Sequence, residues 1–158
     1  MAAKMPQPAG DSTKTVLAHV ENTLDPIIFP DSRVLLLGSM PSPKSREIGF
    51  YFGNPQNRFW RVVAALYGEK PLKSISEKID FCKRHHLALC DVLKACDIKG
   101  ASDASIANPI PHNIGALIQD SSICAIFTLG GTATKFYKRY TEQQTGIPAR
   151  QLPSTSPA

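Results

Sequence analysis

Asn54 and Asn57 stand three residues apart inside GFYFGNPQNRFW (49–60), a stretch with five aromatic residues and no acid. Aromatic faces beside carboxamides suit a flat heterocycle, since rings stack it and amides read its edge. Two further stretches supply a different chemistry. GSMPS (38–42) and LPSTSPA (152–158) combine prolines, hydroxyls and backbone N–H groups, a composition suited to phosphate oxygens. A flat base joined to a phosphodiester is the outline of a nucleotide extruded from a strand. There is no nucleophile elbow with Ser-His-Asp spacing and no His-Glu-x-x-His.

These stretches must be held by a scaffold, and the apolar pattern suggests which. RVLLLG (33–38), LALCDVL (87–93) and CAIFTLGG (124–131) are continuous apolar runs, as expected of strands buried on both faces. Val16, Leu17, Val20 and Leu24 recur at helical spacing. MPSPKSREIG (40–49) reads as a proline-broken loop. Asn54-Pro55 predicts a helix start, with Asn54 as cap and Phe59, Val62, Val63 and Leu66 on the buried side. Ser74 and Glu77 form a capping-box pattern. Residues 97–111 read as a long loop, 112–119 as a short helix, 132–144 as a helix, and ARQL (149–152) as a strand. Alternating strands and helices argue for an α/β domain with a mainly parallel sheet. Ligands then bind beyond the carboxyl ends of the strands. GSMPS, Asp91 and LGGTA (129–133) should therefore face one crevice together with LPSTSPA and the aromatic block. Asp91 is the one acid near a strand end.

With 158 residues, 42% hydrophobic and 20% charged, the balance is that of a globular domain. Residues 1–12 are Pro/Ala/Gly-rich and read as a flexible tail, leaving 13–158 as a single domain. The formal charge of +5 is compatible with an anionic partner without demanding one. No run approaches the ~20 apolar residues of a membrane span. The start lacks the apolar core of a secretory signal, so the expectation is an intracellular protein, cytoplasmic or nuclear, with reduced cysteines.

RVLLLGSMPS, GFYFGNPQNRFW and LPSTSPA together resemble the uracil-DNA glycosylase superfamily, and GSMPS with LPSTSPA is most similar to its hypoxanthine-DNA (deoxyinosine) branch. The likeness runs from about Arg33 to Ala158. It implies a three-layer α/β/α sandwich with a four-stranded parallel central sheet. It also implies monofunctional hydrolysis of the N-glycosidic bond of a flipped-out deaminated base, most readily hypoxanthine. No metal or cofactor is implied, and the expected partner is DNA containing a damaged base, bound by a monomer.

The resemblance also assigns residues. Most members carry Asp, Asn or Glu at the third position of GSMPS to orient the attacking water. Here that position is Met40, whose thioether cannot do so. In the hypoxanthine branch an asparagine of the aromatic block is catalytic, which places that role on Asn57, expected in the first turn of the helix after Pro55. Phe52 aligns with the ring that stacks on the base, and Tyr51 edges the pocket. Asp91 would accept a hydrogen bond from a ring N–H. Gly38, Ser39 and Met40 line the base site. Ser42, Ser154, Thr155 and Ser156 face DNA phosphates, with Lys44, Arg46, Arg58 and Arg61 as basic neighbours. Leu152 stands where other branches carry histidine, which disfavours uracil. The wedge that follows this motif in family members is missing before Ala158, so the domain reads as truncated at its C-terminus.

Rival readings are weaker. Gly38, Lys44 and Ser45 hold three positions of a phosphate-binding loop, but Pro43 replaces its second glycine. Cys82, His85, His86 and Cys90 make a zinc site conceivable. A non-catalytic DNA-binding relative is the alternative that Met40, Leu152 and the short C-terminus favour.

Overall fold

The computed structural model describes residues 16–157; the expected N-terminal tail lies outside them. Four strands form a parallel sheet: β2 (Val34–Gly38), β3 (Leu87–Asp91), β6 (Ala125–Leu129) and β7 (Ala149–Leu152), in the order β3-β2-β6-β7. Strand side chains alternate between faces, and the two faces bury different layers. Leu35 and Leu37 of β2 pack with Ala88, Cys90, Ile126, Ile114, Phe136 and Tyr137. Leu36 packs on the other side with Leu87, Leu89, Phe59, Trp60, Val63, Phe81 and Cys82. The second layer comes from helices α2 (Phe59–Leu66) and α3 (Ile75–Arg84). The first comes from α4 (Ile114–Ile118), α5 (Gly131–Phe136), a π-helical turn (Tyr137–Thr141) and α6 (Glu142–Thr145). This is the expected three-layer α/β/α arrangement.

A second sheet was not foreseen. β1 (Ala18–Glu21), β4 (Leu93–Lys99) and β5 (Ser102–Pro111) form an antiparallel sheet in the order β1-β4-β5. The segment read as a helix at 16–24 is thus a strand. Val16 is 61% and Leu17 40% exposed, so there is no buried helical face to stabilise, and pairing with β4 satisfies the backbone instead. The expected loop at 97–111 is most of a hairpin, turned at Gly100 with φ +53°. Because β4 follows β3 after Val92 alone, the hairpin rises directly from the carboxyl end of the parallel sheet.

Two helices also differ. α1 (Pro43–Ile48) replaces the expected loop, with Pro43 in its first turn and Ser45 N–H donating to the Ser42 hydroxyl at 3.1 Å. α2 begins at Phe59, four residues after Pro55, because the Asn54–Arg58 stretch closes a turn first: Asn57 N–H donates to the Asn54 carbonyl at 2.8 Å. Its buried side is Phe59, Trp60, Val63 and Ala64, whereas Val62 and Leu66 are exposed. The Ser74 cap is as expected, its hydroxyl accepting from Glu77 N–H at 3.1 Å, while the Glu77 carboxylate reaches Lys73 N–H at 2.7 Å.

Candidate active site at the carboxyl edge of the parallel sheet

A cavity of about 380 Å³ opens at the carboxyl ends of the strands. Gly38, Ser39, Met40 and Ser42 line it from the end of β2, and Asp91 from the end of β3. Tyr51, Phe52 and Asn57 line it from the aromatic block, and Ser154, Thr155 and Ser156 from the segment after β7. All eleven residues singled out from the sequence therefore meet at one place. Of the basic neighbours, Arg58 is exposed and reaches the Ser156 carbonyl at 3.3 Å, and Lys44 pairs with Glu47 at 3.5 Å. None of the four basic residues lines the cavity itself.

The segments are tied to one another by short polar links. Ser45 Oγ accepts from Gly53 N–H at 3.1 Å and from the Ser42 hydroxyl at 3.1 Å, joining α1 to the aromatic block. Ser42 is thus the α1 cap as well as a cavity residue. Arg58 N–H donates to the Thr155 carbonyl at 3.0 Å, joining the aromatic block to the C-terminal segment. Gly130 N–H donates to the Leu152 carbonyl at 2.8 Å, and Ser156 N–H to Ser154 Oγ at 3.2 Å.

Phe52 is half-buried, with φ +53°, a conformation uncommon for a side chain of its size. One face of its ring stacks on Phe59 with centroids 4.0 Å apart and planes at 24°. Tyr51 is buried, its hydroxyl donating to the Leu24 carbonyl at 3.4 Å. Asn57 lies before α2, not within its first turn. Its Oδ1 accepts from Phe59 N–H at 2.9 Å, which leaves Nδ2 as the free donor of the carboxamide. Met40 is buried at the cavity wall.

Asp91 is 3% exposed and Asn22 Nδ2 donates to its Oδ2 at 3.1 Å. Burial pushes its carboxyl up to about 7, the Asn22 hydrogen bond works against that, and the charge of Asp103 adds to the rise. The folded protein then holds this proton more tightly than the unfolded chain. Asp91 costs no stability where it is protonated, and its contribution becomes unfavourable as pH rises from the ordinary carboxylate range to about 7. Asp91→Asn is therefore expected to raise the melting temperature at about pH 8, with a gain on the order of 4 kcal/mol, and to have little effect near pH 4. Calorimetry at several pH values checks this.

Sequence reasoning missed the hairpin wall. Ile98, Ala101, Ser102, Asp103 and Ala104 line the cavity from the hairpin, and Ser45 lines it from α1. Asp103 accepts from the Ser39 hydroxyl at 2.8 Å, so Asp91 is not the only acid at the crevice. Gly100 alone marks the turn in the sequence, without the alternating strands that would identify a hairpin. Cys82 and Cys90 belong to the two opposite cores. Among the described residues no group of three His, Cys, Asp or Glu side chains is gathered to hold a metal ion. No helix among them is long and apolar enough to cross a membrane.

Comparison with known proteins agrees with this geometry. The family model of the uracil DNA glycosylase superfamily matches residues 26–158. A hypoxanthine DNA glycosylase of Methanosarcina acetivorans is 29% identical over 133 residues, covering 84% of this chain and 84% of that relative. One from Methanosarcina barkeri is 36% identical over 83 residues, a match that spans about half of each protein (51% and 52%). The solution NMR structure of a candidate uracil DNA glycosylase from M. acetivorans superposes with a TM-score of 0.74 at 28% identity, covering 84% of this chain and 83% of that one. The parallel sheet, the cavity at its carboxyl edge and the match over residues 26–158 agree: the chain belongs to the uracil-DNA glycosylase superfamily.

Proposed function

We propose that the protein is a monofunctional DNA glycosylase that hydrolyses the N-glycosidic bond of a flipped-out deaminated base, with hypoxanthine as the preferred base. The observation that carries this reading is the convergence of an aromatic face, a carboxamide and hydroxyl-rich strand ends on one cavity. The similarity to the hypoxanthine DNA glycosylases of Methanosarcina supports the choice of base.

The extruded base stacks on the face of Phe52 that Phe59 does not cover. The hydroxyl-rich segment Ser154–Ser156 meets the flanking phosphates. Asn57 Nδ2 donates to a water and fixes it beside the sugar. A neutral amide is a poor base, so the C1′–N bond breaks first: its electron pair leaves with the base, and an oxocarbenium-like sugar remains. Water then adds to C1′ and its proton passes through solvent to the departed base anion, leaving an abasic site and the free neutral base. Met40 supplies no acid, and Leu152 no imidazole for the leaving group, which favours a better leaving base than uracil.

Duplexes carrying one deoxyinosine, deoxyuridine or deoxyxanthosine test the assignment. Alkali-labile breaks should accumulate fastest with deoxyinosine; faster breakage at deoxyuridine would reject the preferred base. Met40 also favours a second reading, a DNA-binding relative without catalysis, which would retard all three duplexes on a gel and break none. Phe52→Ala should lose about 1–3 kcal/mol of base stacking, read as a lower kcat/KM on the deoxyinosine duplex.

A further inference from the structure

The cavity holds two carboxylates, and the mechanism above uses neither as a charge. Asp91 is buried at the end of β3. Asp103 is exposed on β5 and lines the same cavity, where the Ser39 hydroxyl donates to it at 2.8 Å. The titratable groups facing Asp91 are Asp103 from the hairpin, Tyr51 from the aromatic block and Cys90 beside it on β3. Burial pushes the phenol and the thiol up, so both stay neutral near neutral pH. Among the described residues, no cation offsets Asp91; its polar partner is the neutral Asn22 amide.

Two acids at one cavity without a cation do not both ionise cheaply. Partial burial raises the Asp103 carboxyl as well, but the Ser39 hydroxyl works against that rise and Asp103 is the more exposed of the two, so it keeps its charge at lower cost than Asp91. The reaction requires the same division. The base departs with an electron pair, and part of the negative charge collects on its exocyclic carbonyl oxygen. An anion facing that oxygen opposes departure, whereas an O–H donor stabilises it. Asp91 is placed to be that donor. Its Oδ2 is taken by Asn22, and its Oδ1 lies over Gly38, where an added Cβ would sit only 2.6 Å away.

Resting on the glycosylase reading, we propose that Asp103 is a specificity-determining residue acting through Asp91: Asp103 carries the charge, Asp91 keeps the proton, and Asp91 Oδ1–H donates to the carbonyl oxygen of the deaminated base. An amino group at that ring position, as in adenine, would set donor against donor and is disfavoured. The elevation of Asp91 to about 7, to which Asp103 contributes, agrees with this division. Asp91 thus acts as a donor to the base, rather than as the acceptor the sequence suggested.

Two measurements on the full chain test it. Single-turnover cleavage of a deoxyinosine duplex should fall as pH rises through about 7. In Asp103→Asn, which can still accept from Ser39, the falling limb should move about 1 pH unit lower. Asp103→Glu, which keeps the charge, should restore it. The second measurement needs no activity: carbon-13 NMR of the Asp91 carboxyl, assigned with Asp91→Asn, should titrate near 7 in the wild type and lower in Asp103→Asn. A titration in the ordinary carboxylate range, or one unmoved by Asp103→Asn, overturns the proposal. So does a loss of rate that is uniform across pH. Coupled titration without cleavage of any duplex supports the proton assignment and overturns the glycosylase reading alone.

Discussion

Asn57→Ala is expected to slow deoxyinosine cleavage by about 10²–10³-fold, the range seen when a positioned polar group at a reacting centre is removed. Binding to the same duplex should change little, because the phosphate-facing segment after β7 and the Phe52 ring are left in place. The variant also loses the hydrogen bond from Phe59 N–H to Oδ1, a local turn contact at the entry to α2 worth about 1 kcal/mol. The fold should tolerate that loss, since α2 is held chiefly by Phe59, Trp60 and Val63 in the core. A small drop in melting temperature with a collapse in single-turnover rate is therefore the signature of a positioning role. Equal losses in stability and rate, or an unchanged rate, would assign Asn57 to the helix start alone.

Gly38→Ala is expected to lower both stability and cleavage. Its Cβ would sit 2.6 Å from Asp91 Oδ1 and 3.8 Å from a ring carbon of Phe52. The carboxyl cannot simply yield, because Asp91 is buried and its other oxygen is held by Asn22. Overpacking of this kind costs about 1–3 kcal/mol. The displaced acid would also lose its alignment with the base, so cleavage should fall by more than tenfold, about 1.4 kcal/mol. Adding Asp91→Ala to Gly38→Ala should recover stability in urea unfolding without recovering cleavage. That non-additivity would show that the two positions share one contact.

The parallel sheet was legible because each of its three long strands is an unbroken apolar run, and only burial on both faces selects such runs. The cavity followed from it, since strand ends in an open α/β sheet converge on one edge. That is why residues as distant in sequence as Gly38, Phe52, Asp91 and Ser154 were found together. The hairpin was not legible. β5 alternates poorly, carries Pro109 and Pro111, and pairs with β4 through three register shifts, so no period-2 signal survives. Its cost was Asp103, a cavity acid invisible to periodicity. α1 was hidden by prolines that act as a helix start here, and the start of α2 was misplaced because Asn54-Pro55 opens a turn instead. Asn57 kept its place at the cavity despite that error, because the turn presents it there.

Hydrolysis of the glycosidic bond has two products from one event, and counting both is the most direct test. A duplex with one deoxyinosine should release free hypoxanthine and gain alkali-labile abasic sites in equal amounts, with no strand break before alkali. Neither product appearing, under conditions where the protein binds the duplex, would contradict the account.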